Sequence, residues 1–420
     1  MAASVRRYTD GMTLGAQTVV PAITASQLGA LARRTAGEAG APVVVDLRAP
    51  VEFAEDHVPG AHSVPLFDDA RRALIGTLYT RVSPEAAFAE GVEATVERVG
   101  SLVLEIAHLG PGTPPPLADL EARVREMCAH GIAGLEGELV TEPAEVLPQD
   151  PIVVHCWRGG LRSRSVAALL RALGMRNVIV LEGGYKAYRR HVIERLDAWV
   201  APSTFVLRGL TGVGKTLVLR AIEALRPGST LDLEGLAGHR SSILGMVGLE
   251  PCTQKTFDSR LLARFERGFG PWMVVEGESR KVGDVILHPN LWRAMGSSTG
   301  IELVASTARR VRVLVEDYLA RPENREPLAE QLRFLESRLG KRFEGELVRM
   351  LEEGREDELV PLLLEHYYDP LYRHSGGRYR LDVSFDTEDP AACAQEIVAW
   401  IEARSSTAAA QDAAASPPAN

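Results

Sequence analysis

The chain has 420 residues, enough for two or three domains each with a core of its own. Hydrophobic residues make up 45% and charged ones 25%, a globular balance that excludes a largely disordered chain. The net charge of −9 gives no global attraction to nucleic acid, although it leaves room for a local basic surface. Arg6 and Arg7 are followed by no apolar run, and no stretch approaches the roughly 20 apolar residues that span a bilayer. Neither a signal peptide nor a membrane anchor is therefore expected, and the cytoplasm is the expected location. The four cysteines, Cys128, Cys156, Cys252 and Cys393, show neither a CxxC pair nor a metal-ligand spacing, which argues against a disulfide framework or a zinc site.

In chain order, the apolar runs Val43–Val45, Ile152–Val154 and Val178–Leu181 read as buried strands with helical periodicity between them. That alternation predicts a parallel sheet covered on both faces, over residues 20–197. A helical insertion of about 68–137 interrupts it, broken by the turn-rich Gly110–Pro116. A second α/β unit opens with the strand Thr204–Leu207. The chain from Arg309 to Ala403 reads as mostly helical, so the second domain is expected over 203–403. The Ala/Ser/Pro-rich residues 404–420 read as a disordered tail. Arginine and lysine cluster at Arg158/Arg162/Arg164, Lys186/Arg189/Arg190 and Lys341/Arg342. Each cluster alone reads most simply as a solvated helix face.

Two loops carry chemistry. In the first, Pro151–Ser163, a strand ends at His155 and a helix begins near Arg162, which places Cys156 at a strand-to-helix turn. Unpaired backbone N–H groups and the positive end of a helix converge at such a turn. Arg162 adds a cation, and all three effects favour the thiolate, the nucleophilic form. Gly159 and Gly160 allow the backbone conformations that turn N–H groups inward. Arg158, Arg162 and Ser163 complete the candidate catalytic set. In the second loop, Gly209, Gly212, Gly214, Lys215 and Thr216 satisfy GxxxxGK[ST] in full, between a strand and a helix, as a phosphate cradle requires. Lys215 would neutralise phosphate oxygens, and Thr216 would offer a hydroxyl to Mg²⁺. Strand Trp272–Glu276 ends in a carboxylate, with Glu278 and Arg280 after it. Asp232 and Glu234, with His239 and Arg240, form a polar group after Thr230–Leu231. These acids are candidates for binding metal or substrate.

The cysteine loop resembles a rhodanese active loop. The segments Asp46–Pro65 and Val180–Tyr185 resemble the early strand-and-turn signature and the closing strand of that fold. Its spacing, Cys-x5-Arg, is one residue longer than in plain sulfurtransferases. The same spacing occurs in cysteine phosphatases and arsenate reductases, so those chemistries stay open on the loop alone, as does an ATP-dependent kinase with a rhodanese appendage. A rhodanese domain followed by a P-loop domain resembles the tRNA 2-selenouridine synthase family. Further strings carry that resemblance: Gly76–Tyr79, Glu182–Ala187, Asp232–Ala237, Glu276–Arg280 and Glu365–Tyr372. Gly277 and Ser241 depart from it, standing where an acid and a glycine are expected.

The family implies a transferase acting on tRNA. Wobble 2-thiouridine is S-geranylated from geranyl diphosphate and then converted to 2-selenouridine with selenophosphate. Cys156 would handle the selenium and the P-loop the diphosphate. The resemblance implies no tightly bound cofactor, tRNA as partner, and a selenophosphate-supplying enzyme as a second candidate partner.

Overall fold

The computed structural model describes residues 17–32, 41–111, 113–373 and 381–415, and the chain divides into two compact units at 195/196. The first is a six-stranded sheet built from β1 (Thr18–Ile23), β2 (Val43–Asp46), β3 (His62–Ser63), β4 (Leu139–Pro143), β5 (Ile152–His155) and β6 (Val178–Leu181). Its order is β3-β2-β5-β6-β1-β4, and every neighbouring pair is parallel. β5 and β6 are buried along their whole length, as strands covered on both faces must be, so their sequences read as unbroken apolar runs rather than alternating ones. Asp46 pairs with His155 across β2 and β5, which sets the carboxyl end of β5, and Cys156 after it, in the middle of the sheet edge.

The insertion is helical, as its periodicity predicts. Helix Pro84–Leu109 starts with proline in its first turn, and the Ser83 hydroxyl accepts from the Ala86 N–H at 3.1 Å. Val99, Leu102, Val103 and Ile106, spaced by three and four residues, drive one of its faces into the core. Helix Asp69–Arg81 buries no side chain. It is capped by Asp68 and tied down by Arg71, which pairs with Glu90 at 2.5 Å and Glu97 at 2.8 Å.

The second unit holds β7 (Ser203–Arg208), β8 (Thr230–Leu231), β9 (Trp272–Glu276), the hairpin β10 (Lys281–Val282) and β11 (Val285–Ile286), β12 (Thr299–Val304) and β13 (Leu381–Asp386). Its main sheet runs β13-β12-β7-β9-β8, all parallel. The C-terminal portion is thus not helical throughout: β13 returns after the helices to form the edge of the sheet. Helix Pro390–Ala415 then packs Ala394, Ile397, Val398 and Ile401 with Val218 and Ile222 of the helix after β7. That helix also runs through residues 404–415, which correct the expectation of a disordered tail. Alanine, abundant there, is the strongest helix former, whereas composition alone reads as low complexity. Residues 416–420 lie outside the described residues. Among the described residues no helix is long and apolar enough to cross a membrane.

Candidate active site

Cys156 is 2% exposed, at the end of β5, with its Sγ 3.3 Å from Ser163 Oγ. Burial is the largest influence on this thiol and pushes it up. The charge of Arg162, the Ser163 hydroxyl and the N–H groups of Ser163 and Arg158 together outweigh burial and hold the thiol below its ordinary value. Arg158 acts here through its backbone N–H; its side chain is exposed, whereas Arg162 is half-buried. Replacing Arg162 with methionine removes the main opposition to burial. The midpoint of Cys156 alkylation against pH is expected to rise, because burial then acts on the thiol with its main counterweight gone. Iodoacetamide labelling across pH 5–10, read by mass spectrometry, measures it.

The loop owes its shape to a second turn. Gly159 has φ +63°, and a Cβ there would lie 2.8 Å from the Gly183 nitrogen and 2.9 Å from the Leu181 carbonyl. A Cβ on Gly184 would meet the Cys156 carbonyl at 2.4 Å. Backbone hydrogen bonds complete the union: Tyr185 N–H to Cys156 O and Lys186 N–H to Trp157 O, both 2.9 Å. Gly160 is different. It caps the following helix at φ −86° with open space around it, so a side chain there is tolerated and its expected role is not required by the fold.

Beneath this pair of turns lies a buried polar set that sequence reasoning passed over. Arg48, 1% exposed, donates through Nε at 3.0 Å and Nη2 at 2.6 Å to the fully buried Asp46, and through Nη2 to the Asp56 carbonyl at 2.7 Å. Its guanidinium lies 3.7 Å from the centre of the Tyr185 ring, and the Tyr185 hydroxyl donates to Asp56 at 2.5 Å. His155, wholly buried and 3.8 Å from Asp46, is pushed below its ordinary value by burial, which outweighs the attraction of Asp46. The ion pair therefore supports Tyr185, and the Tyr185 N–H holds the carbonyl of Cys156. Arg48→Met leaves the Asp46 charge buried without its partner. A loss of about 3–5 kcal/mol is expected for the first unit, measured as faster hydrogen exchange in peptides spanning β5.

In the second unit, the phosphate loop follows β7 directly. Gly214 caps helix Lys215–Leu225 with φ +86°. At Gly212, φ +82°, a Cβ would lie 2.9 Å from the Arg310 carbonyl. Lys215 Nζ donates to the Gly209 carbonyl at 3.4 Å, and Thr216 Oγ1 to Glu276 Oε2 at 3.5 Å. Glu276, fully buried at the end of β9, also accepts from the Glu234 N–H at 2.6 Å. Burial and the neighbouring carboxylates of Glu234, Asp232 and Glu278 push the Glu276 carboxyl well up. Burial, then Glu278, pushes Glu234 up to about 8 against the pull of Lys215. Four of the expected acids thus do gather beside the loop. Asp232 also caps the short helix Leu233–Ala237, accepting from Gly235, whereas Arg280 is exposed on the turn beyond. Arg240 is held by Asp317 at 2.6 Å. Among the described residues no three His, Cys, Asp or Glu side chains could hold a metal ion. The donors present, a hydroxyl with a carboxylate behind it, suit a cation that arrives with a diphosphate.

A family model described as the tRNA 2-selenouridine synthase AAA domain matches residues 202–408, and one described as a rhodanese-like domain matches residues 112–191. Proteins named tRNA 2-selenouridine synthase are similar across most of the chain. The protein of Chromohalobacter salexigens is 30% identical over 357 residues, covering 79% of this chain and 87% of its own length. That of Cupriavidus necator is 31% identical over 360 residues, covering 78% and 87%. That of Cupriavidus pinatubonensis is 30% identical over 397 residues, covering 87% and 96%. The chain belongs to the tRNA 2-selenouridine synthase family.

The two departures from the family pattern have local explanations. A Cβ on Gly277 would lie 2.7 Å from the Leu207 carbonyl and 2.9 Å from Arg208 Cγ, so the strand beside it leaves no room for the expected acid. Ser241 takes φ +45°, the left-handed conformation for which glycine is the natural residue. Two further supports of the phosphate loop escaped the sequence. Arg310, 6% exposed, donates to the Thr211 carbonyl at 2.8 Å and grips Asp369 at 2.6 and 3.1 Å. Thr387 donates to the Val213 carbonyl at 2.6 Å. Of the closely spaced Tyr367, Tyr368 and Tyr372, Tyr368 is buried in the helical core, bordering a cavity of about 30 Å³. That volume is far below the ~150 Å³ that accepts even a benzene. The Tyr372 side chain lies outside the described residues.

Proposed function

We propose that the chain converts wobble 2-thiouridine in tRNA to 2-selenouridine, with selenophosphate as the selenium donor, through an S-geranylated intermediate. The observation that carries this reading is Cys156 at the strand-to-helix turn, its Sγ 3.3 Å from Ser163 Oγ and its thiol favoured by the Arg162 charge, in a chain whose relatives bear the name tRNA 2-selenouridine synthase. A thione sulfur is a poor leaving group. In the first step the sulfur attacks C1 of geranyl diphosphate, diphosphate leaves, and the base gives up its N3 proton. In the second, selenium displaces geranylthiol from C2, and water cleaves the phosphorus–selenium bond to release phosphate. Cys156 is the group that handles the selenium, with Arg162 and Arg158 facing the anionic donor. Gly209, Gly212, Gly214 and Lys215 hold the geranyl diphosphate, and Thr216, backed by Glu276, meets any Mg²⁺ that accompanies it.

The test is mass spectrometry of nucleosides from 2-thiouridine tRNA incubated with the chain. Geranyl diphosphate alone should give S-geranyl-2-thiouridine, and added selenophosphate should give 2-selenouridine. An unchanged 2-thiouridine peak with both co-substrates present refutes the reading.

A further inference from the structure

The basic clusters around the cysteine are not equivalent once folded. Arg164 donates to the Leu139 carbonyl at 2.8 Å, and Arg189 lies 3.8 Å from Asp56, so both serve the fold. Arginines elsewhere in this unit are also spent on acids: Arg71 on Glu90, Arg98 on Glu105, Arg125 on Glu93. Lys186 and Arg190 are different. Both are exposed, they stand four residues apart on helix Gly184–Ala198 and so share a face, and neither forms an ion pair among the described residues. Glu182 and Glu194, exposed before and after them, make no ion pair there either.

This cationic face begins at the nucleophile. The Lys186 N–H bonds the carbonyl of Trp157, the residue after Cys156. The Trp157 indole is half-buried, with one side toward the Tyr185 ring at 5.5 Å. A partly exposed indole on a turn bonded to the helix that carries these cations, in a chain of net charge −9, fits the pattern that binds single-stranded nucleic acid: rings stack on bases and cations meet phosphates. The buried thiol adds a demand of its own, because a base must leave any helix to reach it.

We propose that Trp157, Lys186 and Arg190 form the docking surface for the single-stranded loop of the RNA substrate, Trp157 stacking on a base and the two cations contacting phosphates. The proposal rests on the reading of the chain as a tRNA-modifying enzyme.

The experiment is filter binding of the full chain to an anticodon stem-loop RNA with 2-thiouridine at the wobble position, at several salt concentrations, with a fully paired RNA of equal length as control. Trp157→Ala should weaken stem-loop binding about ten- to hundredfold, whereas Trp157→Phe, which keeps a ring, should stay near wild type. The double variant Lys186→Ala, Arg190→Ala should flatten the slope of log K against log salt by about 1.4, two phosphates' worth for a single strand. Both cations are on the surface, so this variant decides the matter should Trp157→Ala not fold. Wild-type affinity and slope in all variants overturn the proposal. So does an equal loss on paired RNA, or a loss confined to selenophosphate binding. Conversion of the base by a wild type whose variants bind normally sinks the docking surface alone. Binding with these dependences but no conversion sinks the enzymatic reading and leaves the surface standing.

Discussion

Alanine in place of Cys156 is expected to cut 2-selenouridine formation by at least about a thousandfold, while S-geranyl-2-thiouridine accumulates on the same tRNA. On the proposed reading the thiol handles the selenium, held low against its burial by the Arg162 charge, the Ser163 hydroxyl and two loop N–H groups, and methyl can replace none of that chemistry. Serine should fail equally, because a hydroxyl in that setting does not ionise near neutral pH. Geranylation is expected to persist, since the diphosphate loop is built in the other unit from β7 and its following helix. Nucleoside mass spectrometry reads both products in one run. Selenouridine at wild-type level from the alanine variant would remove Cys156 from the selenium step.

The second large effect is expected at Lys215. On the proposed reading, truncating it to alanine takes away the cation offered to the diphosphate and should cost about 2–4 kcal/mol of binding, a thirty- to thousandfold loss of affinity for geranyl diphosphate. Calorimetric titration measures this directly, and an unchanged Kd would mean that the loop does not hold the donor. The neighbouring carboxyls add a pH signature. With Glu234 pushed up to about 8, this group is largely neutral at pH 7 and charged at pH 9. Affinity for metal-free diphosphate in the wild type should therefore fall as pH rises through 8, because the newly formed carboxylate repels the anion. Glu234→Gln should flatten that step while leaving the effect of Lys215→Ala intact.

Both chemical loops were legible in the sequence because each is local. A buried strand, a glycine-bearing turn and a helix lie within about fifteen residues, and their residue types state what the turn must bind. The long helix of the insertion was legible through the spacing of Val99, Leu102, Val103 and Ile106. What escaped depends on residues distant in the chain. β1 carries Pro21 and pairs with strands more than a hundred residues away, so its run TVVPAI reads poorly as a strand. β13 follows a long helical stretch, and only its register against β12 makes it part of the sheet. Arg48 and Asp46 look like ordinary polar residues before a turn. Their burial is imposed by β5 and the helix after Gly183, more than a hundred positions later. Arg310 and Asp369 are 59 residues apart, and nothing in either neighbourhood announces the other.

The fusion of the Cys156–Gly159 turn with the Gly183–Gly184 turn has a kinetic consequence. A nucleophile on a mobile strap spends part of each turnover waiting for its segment to settle, and that settling often limits the rate. Here the strap is stitched to a neighbouring turn by two backbone hydrogen bonds, and its glycines leave no room for a side chain, so the loop is held in one conformation. On the proposed reading, turnover at this centre is expected to follow how fast the nucleic acid presents its base and withdraws the product, so added solvent viscosity should slow it.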